Sequence, residues 1–129
     1  MHARPDGLDD DTVAALGRLG AALEAAEDAR GHLYAFHRLS GHADLGLQEA
    51  LGDLREAGHP QLADRIAEVL VGRDVVRGMW TFQIVEDYDA NYLSVFRAAE
   101  AAARAEFDAP PHLYEAEMKQ REQSGPDDS

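Results

Sequence analysis

The chain contains no cysteine. That one absence excludes disulfides, thiolate metal sites, thiolate-bound iron–sulfur clusters and cysteine nucleophiles, so any metal would need histidine and carboxylate ligands. Long apolar runs are missing as well. Nothing approaches the roughly 18–20 residues of a membrane span, and the opening MHARPDGLDDD lacks the charged-then-apolar pattern of a signal peptide. A soluble, cytoplasmic protein that does not enter a membrane is therefore expected. Bases are scarce, with 12 Lys and Arg against 25 Asp and Glu and a formal net charge of -13 at pH 7. This balance argues against gripping nucleic acid or an anionic membrane through a basic patch. Strand patterning and internal repeats do not stand out. No Ser-His-Asp order, phosphate loop, dinucleotide fingerprint or HExxH occurs, so no catalytic residue is assigned and a non-enzymatic role is expected.

What is present suits one compact domain: 129 residues, 45% of them hydrophobic. The charge is uneven along it. Residues 1–29 hold seven acids and two Arg, residues 30–78 seven acids and six Arg, and residues 79–129 eleven acids against four bases. The acidic ends fit solubility and also fit a protein partner with a basic surface.

Hydrophobic spacing reads as helices throughout, which makes the expected fold class all-α. A first helix begins near Asp10 to Thr12, places Leu16, Leu19, Leu23, Ala26, Leu33 and His37 on one face, and stops at Ser40 with Gly41 after it. Gly31 is a candidate break within it. Asp44 caps a short helix that carries Leu47, Leu51 and Leu54, and Gly58-His59-Pro60 separates it from a third helix over Gln61 to Val71, giving an αα-hairpin. Asp74 is placed to cap a long fourth helix that reaches Phe107, before Pro110 and Pro111. The domain plan is a flexible acidic N-terminus at 1–10, a helical bundle at 11–108, a short C-terminal helix at 109–123 and a disordered tail at 124–129.

Helix lengths then point to assembly. Two helices of about 30 residues span roughly 45 Å, about twice the reach of the inner pair. If the long helices are antiparallel, their far halves VAALGRLGAALEAA and FRAAEAAARAEF lie side by side with no hairpin to cover them. Small residues make a poor core, so pairing of two such arms in a homodimer is expected, with Ala22 in the contact.

Three acids, Glu86, Asp87 and Asp89, crowd one turn with no Lys or Arg three or four residues away. Like charges at that spacing repel by roughly 0.2–0.5 kcal/mol per pair. On a helical wheel Asp89 falls among Phe82, Val85, Leu93 and Phe96, so a partner cation is required. An ion pair of Arg30 with Glu86 or Asp89 is the simplest provision, with His37 as the alternative partner. The leading reading is a non-enzymatic, homodimeric helical interaction module with an acidic surface and no cofactor. A second reading makes the same region a small-molecule pocket built from Tyr34, His37, Trp80, Asp89 and Tyr92, or a divalent-metal site of His32, His37, Glu86 and Asp89. The spacing of the two histidines at i, i+5 opposes the metal version, since a shared ligand face needs i, i+3 or i, i+4.

Overall fold

In the computed structural model, residues 4–124 are described; residues 1–3 and the tail at 125–129 lie outside the described residues. The chain is all-α. Its helices are α1 (Asp10–Glu56), α2 (Pro60–Leu70), α3 (Thr81–Asp87), a π-helical segment (Tyr88–Leu93), α4 (Ser94–Glu106) and α5 (Leu113–Ser124).

Local chemistry sets each boundary. Asp9 opens α1 by accepting the Thr12 backbone N–H at 2.8 Å. At the other end Gly58 adopts φ 93°, His59 N–H donates to Leu54 O at 2.8 Å and Gly58 N–H to Arg55 O at 3.1 Å, the paired bonds of a Schellman stop. Pro60 then starts α2 where its missing N–H costs nothing. The expected stop at Ser40 and the separate helix from Asp44 are not found, because α1 continues for 47 residues. Each interior glycine costs roughly 1 kcal/mol relative to alanine, but neither Gly31 nor Gly41 is followed by proline, and burial of Leu51 farther along holds the helix in place. The first arm of the hairpin is thus the end of α1.

The expected start at Asp74 is also corrected. Asp74 Oδ2 accepts the Gly78 N–H at 3.0 Å within a turn, Gly78 lies at φ 77°, and α3 begins only at Thr81. There the Trp80 N–H donates to Gln83 Oε1 at 2.8 Å. The π segment absorbs one extra residue per turn. The eight-residue step from Val85 to Leu93 therefore covers the two turns that seven residues cover in an α-helix, and both side chains are buried.

The chain divides into two compact units, one comprising residues 1–29 and 90–129, the other residues 30–89. In the first, Leu8, Val13, Ala109 and Leu113 form the core with Leu16 packed against it. Arg97 Nε donates to Glu27 at 2.8 Å and Gly20 lies against Glu100, so the start of α1 and α4 run in opposite directions. The segment from Ala109 onward docks on this body, and Tyr114 lies so close to Gly17 that a Cβ there would stand 2.8 Å from it. In the second unit, Arg30 meets Asp89 and His37 meets Thr81, again an antiparallel pairing, while Leu51, Ala63 and Val85 are its buried apolar residues.

Candidate interaction surface

The second unit has a thin interior and a large apolar exterior. Twelve large apolar side chains within residues 30–89 are exposed: Tyr34, Phe36, Leu39 and Leu45 on α1, Leu62, Val69 and Leu70 on α2, Val71, Val75, Val76 and Trp80 between helices, and Phe82 on α3. Several lie far above half-burial, with Leu39 64%, Leu45 61% and Trp80 67% exposed. Single exposed hydrophobics are ordinary, whereas a concentration of them signals contact with something else. Helix α2 shows the mechanism. Its apolar residues lie on one side, yet it seats Ala63 inward and leaves Leu62 and Val69, seven residues apart and so on one face, in solvent. Trp80 and Phe82 pack edge to face with centroids 5.5 Å apart, which presents a preformed aromatic pair.

An ionic cluster stands in the same unit. Arg30 Nε and Nη2 donate to Asp89 Oδ1 and Oδ2, each at 3.0 Å, a two-pronged fork. The Arg30 guanidinium also lies over the Tyr34 ring at 5.3 Å from its centroid, a cation–π contact. The Tyr34 and His37 rings are 5.9 Å apart, and His37 Nδ1 shares a hydrogen bond of 2.6 Å with the Thr81 hydroxyl. The Arg30 and Asp89 side chains remain 37% and 39% exposed, more open than a place on an apolar stripe implied, because the π segment starting at Tyr88 departs from the α-helical wheel.

The other sequence-derived sets are not assembled in this way. Glu86 and His32 are exposed, His37 is engaged with Thr81, and both Asp89 oxygens with Arg30. Among the described residues no three His, Asp or Glu gather where they could hold a metal ion, so His32, His37, Glu86 and Asp89 do not form a ligand set. Of the five residues considered for a pocket, Tyr34, His37, Trp80 and Asp89 belong to the second unit and Tyr92 to the first, where its ring packs edge to face on Phe96 with centroids 5.9 Å apart. Trp80 faces solvent.

Sequence reasoning missed Glu100. It is buried at 8% exposure, and the Arg104 Nε–H donates to its two oxygens at 3.0 and 2.9 Å. The signal was available: Glu100 stands seven residues beyond Leu93 and four beyond Phe96, on their face, with Arg104 one turn farther along. Comparison of the chain with protein-family models, curated proteins and solved structures gives no match.

Proposed function

We propose that the protein is a non-enzymatic helical interaction module that works as a homodimer joined through the apolar exterior of residues 30–89. The observation that carries this reading is the set of twelve exposed large apolar side chains on a unit with so few buried ones. A standard interface takes about 800 Å² per partner, and a half-exposed aromatic side chain supplies on the order of 100 Å² toward it. Charge supports self-pairing at this place. Residues 30–89 hold ten acids and six bases, while the remainder of the chain holds fifteen acids and six bases, so two copies meet with least repulsion through residues 30–89. The acid-rich remainder then stays available to a protein with a basic surface.

Trp80 is the sole tryptophan and reports on this surface directly. At micromolar concentration its emission is expected to be blue-shifted and shielded from iodide, moving to the red as dilution separates the copies. An emission maximum typical of water-exposed indole, unchanged with concentration, contradicts the proposal.

A further inference from the structure

The first unit holds a partly open cavity of about 310 Å³ bounded by α1, α4 and the segment that leads into α5. Its wall has two characters. Leu16, Leu23 and Tyr114 give an apolar side, and four glutamates face it with one arginine and one histidine. The close approach of Tyr114 to Gly17 fixes the apolar side in place.

Arg104 decides what such a cavity can hold. Its Nε–H serves Glu100, its side chain is only 23% exposed, and among the described residues its two Nη groups meet no acceptor. These donors reach solvent, since among the described residues no buried side-chain nitrogen or oxygen lacks a partner, and the open edge of a guanidinium matches a carboxylate in two-pronged fashion. A plain anion does not suit, because Glu100 already offsets the single arginine charge and three further glutamates face the space. A plain cation leaves the guanidinium edge unused. At the rim His112 Nδ1 stands 3.7 Å from an oxygen of Glu24 and 3.7 Å from one of Glu115, too far for a hydrogen bond, so both carboxylates remain open to an ammonium group. Pockets for small molecules run from about 300 to 1,000 Å³, and this one lies at the small end, where an amino acid fits and a nucleotide does not.

We propose that this cavity binds an apolar amino acid of about the size of phenylalanine as its zwitterion. The carboxylate takes the Nη edge of Arg104, the ammonium is held by Glu24 or Glu115, and the side chain lies against Leu16, Leu23 and Tyr114. This site is independent of the self-association proposed above. The test is an amide NMR titration of the full chain with phenylalanine, with phenylacetate and phenethylamine as analogues that each keep one charge. Phenylalanine should give saturable shifts at Gly17, Gly20, His112 and Leu113 with a dissociation constant of about 1 mM or lower, and each analogue should bind at least about tenfold more weakly. Arg104→Lys, which keeps a charge beside Glu100 and lacks the fork, should weaken phenylalanine by about tenfold. The double change Glu24→Gln and Glu115→Gln, at exposed positions, should do the same with the fold intact. No saturable shift at about 10 mM ligand, equal binding of all three compounds, or unchanged binding in the double glutamine variant overturns the proposal.

Discussion

Asp89 illustrates how far a single residue can be read. Its need for a cation follows from the acids beside it and its apolar neighbours in sequence, and the geometry supplies Arg30 through two bonds of 3.0 Å. Its burial does not follow in the same way, because more than a third of each side chain remains in water. Screening by solvent reduces such a pair toward about 1 kcal/mol, and the two-pronged geometry with the Tyr34 contact raises it again. Asp89→Ala should therefore cost about 1–2 kcal/mol in urea unfolding, instead of the 3–5 kcal/mol typical of breaking a buried pair. A loss above about 3 kcal/mol, or none, contradicts this account of the pair. Glu100 is the opposite case: its side chain is only 10% exposed, and its place seven residues beyond Leu93 and four beyond Phe96 marks that buried face.

At the scale of the element, glycine and helix phase explain what was legible. Gly58-His59-Pro60 reads correctly because stop and start both rest on local backbone requirements, a positive φ and a missing N–H. Gly41 misleads because its cost is small and is outweighed by packing elsewhere along α1. The π segment is invisible to a wheel drawn at 3.6 residues per turn, and it shifts every position beyond Tyr88. The glycines of α1 can be sorted by what surrounds them. A Cβ at Gly41 meets nothing within 4 Å, whereas one at Gly17 would press on Tyr114 at 2.8 Å. Gly41→Ala is expected to stabilise the fold by about 0.5–1 kcal/mol through helix propensity. Gly17→Ala should destabilise it by about 1–2 kcal/mol, as overpacking exceeds that gain. Thermal unfolding followed by circular dichroism compares the two, and equal shifts of the same sign contradict the close approach of α5 to α1.

At the scale of the whole molecule, fold class and acidity were plain in the sequence, while the location of the uncovered apolar surface was not. The expectation of pairing through the Ala-rich arms assumed that nothing covered them. In the structure α5 lies over part of the first arm, with Leu113 in the core and Tyr114 against Gly17, while Ala22 stays exposed. Docking of this C-terminal segment is strengthened by Arg4, which donates to Glu117 Oε1 at 2.7 Å and to Asp10 at 2.7 Å. The hydrogen bond from Arg4 holds the Glu117 carboxyl below its ordinary value of 4.5. A depressed acid lends stability that is present above the unfolded-state value and lost as pH falls through the lowered folded-state value. Acid unfolding should therefore set in as pH drops below about 4.5, and Glu117→Gln should flatten that part of the profile. Superimposable acid profiles for the two proteins contradict the clasp.

The central claim is self-association through residues 30–89, and light scattering at micromolar concentration tests it most directly. The account predicts twice the chain mass of 14.1 kDa, falling to the single-chain mass when Leu62 and Val69 are both replaced by glutamate, with helicity retained. Such charges would be desolvated in the contact. A single-chain mass for the unaltered protein at every concentration contradicts the account, as does a dimer that survives the double change at Leu62 and Val69 but separates on Ala22→Glu.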